Sequence, residues 1–311
     1  MKVKNKLIAA LLLAVSVFSL SSFSAAASGH GASEASAIEG RAVTGQFNRY
    51  ELAVSKVYNK NTSAYERLKV LKDGKSLPVG AVMINGTPYV AVRSFVEELT
   101  DMSVTYYSRE KKLNVRGSGF EMDVIDGGNV IYANGRTLFS MTPSVLLSDG
   151  KMYAPVSSIA KAVGMSYSYY GGSVSLFGTV EPILHASRFY REDEVYWLSR
   201  IISAESRGES LLGQIAVGSV VMNRVKSSLY PNTIWSVIFD KKYGVQFSPV
   251  IDGSIYASPS AASVVAAKIC LEGFRVNESA LFFLYPRYST SSWIPNNRPY
   301  LFSIGKHDFY A

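Results

Sequence analysis

Cysteine is almost missing from this 311-residue chain: Cys270 stands alone, so no intramolecular disulfide can form and core burial has to hold the fold. Cys270 lies in the apolar run VVAAKICLEG, which reads as a buried helix with an inert thiol, and this sets aside a Cys/His protease. Histidine is nearly as scarce. His30, His185 and His307 offer no pair at metal-ligand spacing, so neither a metal site nor a cofactor is expected. Acid is in deficit, with 24 Asp and Glu against 32 Lys and Arg. The resulting formal charge of +8 draws the surface towards polyanions. Without glycine-rich phosphate loops or basic helices, no nucleic-acid partner is expected.

Long apolar runs are also lacking, apart from one at the start. Lys2, Lys4 and Lys6 precede LIAALLLAVSVFSL, which ends in Ala25, Ala26 and Ala27. That run is shorter than the roughly 20 residues a spanning helix needs, and its basic flank and small-residue tail read as a secretory signal peptide over residues 1–27, with an uncleaved anchor as the alternative. Its removal takes three lysines and no acid, leaving +5. The expectation is a secreted protein with no stable membrane insertion after cleavage. Residues 28–66 read as a leader or linker, rich in Ser, Ala and Gly up to about residue 45.

The remainder suggests an α+β chain of two domains. Over residues 67–179, short strand-like runs alternate with Gly, Asn and Asp turns, and one pattern occurs twice. Each copy has a turn (Asn85-Gly86; Asp149-Gly150), a strand (Tyr89 to Val92; Met152 to Pro155), a short helix (Arg93 to Leu99; Val156 to Val163) and a further strand ending in aromatics. Duplication of one small β/α unit is the simplest account. The copies resemble the stalk-type domain named after the N-terminal domain of copper amine oxidases, although Ser157 stands where arginine is usual. Neither copy contains histidine, so no copper site is expected; the resemblance implies spacing, wall attachment or partner contact. Tyr167, Tyr169 and Tyr170 read as strand packing, with sugar stacking as the alternative. Glu181-Pro182 marks a linker, and residues 187–311 form the second domain.

There, REDEVYWLSRIISAESRGES opens with Glu192, Asp193 and Glu194, a favourable first helical turn. Val195, Leu198, Ile202 and Glu205 follow at spacings of three, four and three, which puts the Glu205 carboxyl on the apolar stripe. A carboxylate in such surroundings has its ionised form destabilised, and the raised pKa suits a general acid at a glycosidic oxygen. The alternative is a frayed helix end where Glu205 bonds to backbone or to Arg207. Downstream come GQIAVGSVVMNRV, YPNTIWSVIF and VQFSPVIDG, then a helix expected to be capped by Ser258, begun by Pro259 and stopped by Gly273.

This series resembles the SleB/CwlJ family of cell-wall hydrolases over residues 194–311. The family's catalytic glutamate maps onto Glu205 in ISAESRGE, and its GQ-x-AV...NR signature onto Gly213, Gln214, Ala216, Val217, Asn223 and Arg224. Its QFS element maps onto Gln246, Phe247 and Ser248, and its ending onto Trp293, Arg298, Pro299, Ile304, Gly305, His307 and Phe309. Tyr285-Pro286 departs from the usual Asn-Pro.

The resemblance implies a lysozyme-like α+β catalytic domain that cleaves between N-acetylmuramic acid and N-acetylglucosamine as a lytic transglycosylase, with Glu205 as acid and then base. Substrate contacts are expected from Gln246, Phe247, Ser248, Tyr285, Trp293 and His307, with Trp293 and Phe247 as stacking faces. His307 reads first as a neutral structural histidine, and Glu209, Asp252 and Asp308 as structural acids. The implied partners are peptidoglycan glycan strands and a cell-wall or spore-coat protein. The implied setting is the wall or spore cortex of a Gram-positive bacterium. An inverting muramidase-type hydrolase needs a second carboxylate opposite Glu205, and an inactive wall-binding protein is the other alternative.

Overall fold

The computed structural model describes residues 59–311 other than Tyr243, Thr290 and Ser291. The expected signal peptide, and the leader up to residue 58, lie outside the described residues. The chain divides into two compact units between Arg191 and Glu192, and it is α+β throughout.

In the first unit β1 (Lys69–Lys72) and β2 (Lys75–Leu77) form a hairpin. Then come β3 (Ala81–Ile84), β4 (Thr87–Ala91), α1 (Val92–Leu99), β5 (Ser103–Tyr107) and β6 (Lys112–Gly117). After β7 (Phe120–Ile125), β8 (Val130–Ala133) and β9 (Arg136–Phe139), the order hairpin, helix, hairpin recurs as β10 (Val145–Leu146), β11 (Met152–Pro155), α2 (Val156–Ala162), β12 (Ser166–Tyr170) and β13 (Ser173–Phe177). Both residues of the Asn85-Gly86 turn have positive φ, the primed geometry that matches strand twist in a two-residue hairpin.

Strands β4 and β11 lie antiparallel at the centre of one sheet, with Val90 opposite Ala154. One face of that sheet carries Val90 and Ala154 into a core shared with Phe95, Val96, Ile159 and Val163. The other buries Ile84, Tyr89 and Tyr153. A second sheet runs β12-β13-β1-β2, with β1 parallel to β13, and a third runs β5 to β9 in sequence order. Tyr167, Tyr169 and Tyr170 sit on the edge strand β12, and Tyr170 stands 89% exposed.

The stretch around Glu181-Pro182 is not a free tether. Glu181 N–H donates to Val163 O and Ile183 N–H to Ala162 O, while Asn134 Nδ2 donates to Ile183 O. Helix α3 (Ala186–Phe189) follows within the same unit, where the Arg136 guanidinium lies over the Phe189 ring at 3.3 Å.

The second unit contains α4 (Glu192–Ser206), α5 (Leu211–Lys226), α6 (Ile234–Ile238), α7 (Pro249–Asp252) and α8 (Ala261–Leu271). Strand β14 (Phe282–Leu284), α9 (Trp293–Asn297), β15 (Tyr300–Ile304) and β16 (His307–Tyr310) complete it, the strands in the antiparallel order β14-β16-β15. Helix α5 is apolar nearly all round, as a central helix must be. Gly218 on α5 lets α4 and α8 come close: a Cβ there would stand 2.7 Å from both Ile202 Cδ1 and Cys270 Sγ. Burial pushes the Cys270 thiol up to about 12, which keeps it inert. The cap of α8 is Ser260 rather than Ser258, because Ser260 Oγ is the group that accepts from Ser263 N–H, whereas Ser258 O is engaged by Arg207. Among the described residues no helix is long and apolar enough to cross a membrane.

Candidate functional site

Helix α4 begins with three acids and buries Leu198, Ile201 and Ile202 completely. That stripe delivers Glu205, in the last turn, to the edge of the core. Arg207 does not neutralise it: its Nε donates to Ser203 Oγ and its Nη2 to Ser258 O. Among the described residues nothing donates a hydrogen bond to the Glu205 carboxyl. Its pKa is pushed up to about 7, first by burial, then by the negative charge of Asp252, with Arg224 opposing.

Those two neighbours come from different elements. Asp252 ends α7 and is exposed; its Oδ1 accepts from Ser254 N–H. Arg224, on α5, is buried, and burial lowers its pKa; its Nε donates to Leu281 O at 2.8 Å. Its Nη1 reaches Gln246 Oε1 at 3.4 Å, so Gln246 joins the Glu205 neighbourhood through Arg224. Ser248 precedes Pro249 at the start of α7, and its carbonyl accepts from Ile251 and Asp252 N–H, which fixes the approach of Asp252.

Two expected contacts are corrected. Phe247 is 3% exposed and packs near Phe283 and the Arg224 guanidinium, so its face serves the core and offers no platform to a sugar. Trp293 packs with Phe282 and Arg298. Side chains alternate along β14, so Phe282 and Trp293 lie on the opposite face from Phe283, which faces Phe309 and His307. The sheet therefore separates Trp293 from His307.

Tyr285 and His307 do come together, with ring centroids 6.0 Å apart. His307 Nδ1 is buried without a hydrogen-bond partner, 4.0 Å from Glu209 Oε1. Burial lowers the His307 pKa more than Glu209 raises it, so the imidazole is neutral at neutral pH. The two side chains are only 7% and 8% exposed.

Sequence reasoning gave Glu209 no place in this cluster; the space that seats it is left by glycines. Glu209 Oε2 accepts from Lys306 N–H, and the carboxylate fills the space beside Gly305, whose φ is +59°. A Cβ on Gly305 would overlap Glu209 Oε2 at 1.8 Å. Gly305→Ala is therefore expected to destabilise the second unit by about 2–4 kcal/mol, from a left-handed backbone and an unseated carboxylate together. Urea denaturation reads this directly, and an unchanged midpoint would mean that Glu209 is not seated there.

The site thus presents one uncommitted carboxyl able to hold a proton near neutrality, a buried guanidinium beside it, and a second, exposed carboxylate nearby. Comparison with known proteins adds to this geometry. Residues 208–310 match the cell wall hydrolase family and residues 72–177 the copper amine oxidase N-terminal domain. A spore cortex-lytic enzyme of Bacillus cereus is 38% identical over 120 residues, 39% of this chain and 45% of that protein. Its Bacillus subtilis counterpart is 35% identical over 120 residues, 39% of this chain and 38% of that protein. The chain thus spans less than half the length of these curated relatives. The catalytic domain of the germination-specific lytic transglycosylase SleB from Bacillus anthracis is 37% identical, covering 39% of this chain and 97% of that one, at a TM-score of 0.36.

Proposed function

We propose, on the premise that this chain belongs through its second domain to the cell wall hydrolase family, that it is a secreted lytic transglycosylase cutting peptidoglycan between N-acetylmuramic acid and N-acetylglucosamine. One observation carries the reading: Glu205 is a carboxyl that accepts no hydrogen bond from the described residues and whose pKa is pushed up to about 7, so near neutrality it can both give and take a proton. Protonated Glu205 donates to the glycosidic oxygen as the C1–O bond of the muramyl residue breaks. The resulting carboxylate takes the proton of the muramyl C6 hydroxyl as O6 bonds to C1. The product ends in a 1,6-anhydro ring, and Glu205 is protonated again. Intramolecular attack needs no second carboxylate and no water. In this reading Gln246, Ser248, Tyr285 and His307 contact the glycan, and the first domain serves as a spacer or as the contact for a wall or coat protein.

Asp252 favours a second reading, inverting hydrolysis, because it is a carboxylate near enough to raise the Glu205 pKa and open enough to hold a water. Product analysis separates the two. Vegetative sacculi and spore cortex are digested with the chain and the released muropeptides are weighed by mass spectrometry. Anhydro ends from either wall support the transglycosylase, and reducing ends overturn it in favour of hydrolysis. No product from either wall leaves a wall-binding protein. Asp252→Asn sharpens the distinction: the transglycosylase keeps its activity within about tenfold and loses its alkaline limb at lower pH, since one charge that holds the Glu205 pKa up is gone. A hydrolase loses its base, and its rate falls by about 10²–10⁴.

A further inference from the structure

A depression of about 280 Å³ opens on the flank of α4, lined by Arg200, Ser203, Ala204, Arg207, Ser254 and Ala257. It is not the Glu205 site. Arg200, Ser203 and Ala204 share one face of α4, roughly a quarter-turn or more away from the stripe that carries Glu205, and Arg207 follows just past its end. Two guanidiniums converge there, and among the described residues neither has a carboxylate partner. Arg200 lies over the exposed Tyr196 ring at 3.6 Å, and its Nε is buried with no hydrogen-bond partner. Arg207 is held by Ser203 Oγ and Ser258 O, which fixes its fork without neutralising its charge.

We propose that this depression is a carboxylate-binding subsite for the peptide stem of the glycan strand. It rests on the proposed function for the strand's presence, but its chemistry is its own. Guanidiniums held on a fixed backbone recognise carboxylates by charge-assisted hydrogen bonds, and both arginines line the depression with no carboxylate partner among the described residues. The segment that brings Asp252 to Glu205 runs on through Ser254 to Ala257, so catalytic carboxyl and depression share a wall. Arg200 precedes Glu205 by five residues, about 7.5 Å along the helix axis. A stem of three residues reaches roughly 10 Å from its muramyl sugar, enough to place its carboxylates among the arginines while the sugar lies against Glu205.

The test is calorimetric titration of the chain from residue 28 carrying Glu205→Gln, so that nothing is consumed. The ligands are N-acetylmuramyl-tripeptide as free acid, the same compound with its carboxyls amidated, and N-acetylmuramic acid alone. The free acid is expected to bind at least tenfold more tightly than the amide, and Arg200→Gln should abolish that preference, with Arg200→Lys restoring part of it. Ala257→Asp, an exposed change that places a carboxylate in the depression, should abolish it too and serves should Arg200→Gln misfold. Equal affinity for acid and amide, or a preference that survives both variants, overturns the proposal. So does a full preference for N-acetylmuramic acid alone, which would assign the charge contact to the lactyl carboxylate. Cleavage of sacculi by the unmodified chain is measured in parallel. Lost cleavage with intact acid preference would sink the enzyme reading alone, and intact cleavage without preference the subsite alone.

Discussion

Under the proposed function, Glu205→Gln is expected to reduce glycan cleavage by about 10³-fold or more, while leaving the folded chain more stable above neutral pH. The amide keeps the shape of the side chain and cannot donate a proton to the leaving oxygen, so both halves of the cycle stop. The stability gain follows from linkage. The Glu205 pKa is raised from 4.5 to about 7 in the fold, so the folded state holds this proton more tightly than the unfolded chain does. Its favourable contribution is complete below about pH 4.5 and declines as pH rises, until it is lost above about pH 7. A shift of that size corresponds to something on the order of 3 kcal/mol. A glutamine carries no such dependence. Thermal melts at pH 5 and pH 8 should therefore show the wild type losing several degrees relative to the variant, and the wild-type cleavage rate should fall above about pH 7. A variant that melts lower than the wild type at pH 8, or one that still cleaves, would remove Glu205 from the role assigned to it.

Helical spacing, a local property, put Glu205 on the apolar stripe with Leu198 and Ile202, and the resemblance of the downstream motifs gave it the catalytic expectation. The turn-strand-helix order of the first domain was legible for the same reason, since Asn85-Gly86 and the alternating strands each announce themselves within a few residues. What was not legible depends on elements distant in the chain. The parallel pairing of β1 with β13 joins residues about a hundred positions apart, and no local pattern marks it. Asp252 reads as a turn acid until α7 packs near α4. Phe247 and Trp293 look equally suited to sugar stacking, and only the burial of one and the alternation along β14 tell them apart from a cleft wall. Glu209 was hidden because its burial is made by voids at Gly213 and Gly305, and a glycine shows what it admits only when its neighbours are known.

The Asn-Arg pair after α5's apolar run carries the second large effect, and it is structural. Asn223 Nδ2 donates to both Asn277 O and Ala280 O at 2.9 Å, and Arg224 donates next door to Leu281 O, so this dipeptide fixes the chain entering β14. Asn223 is 5% exposed, and the Ala280 end of the arrangement is buried. Asn223→Leu, of similar size but with no donor, strands two carbonyls away from water at about 1–3 kcal/mol each, which predicts a loss of about 2–5 kcal/mol. Because β14 pairs with β16, the disturbance should spread to Phe283 and His307 and reach activity through them rather than through Glu205. The expected signature is a much lower denaturation midpoint together with residual cleavage at low temperature that keeps the wild-type pH limb near 7. Unchanged stability with abolished cleavage would instead move Asn223 into the reacting centre, where its amide would have to touch the sugar directly.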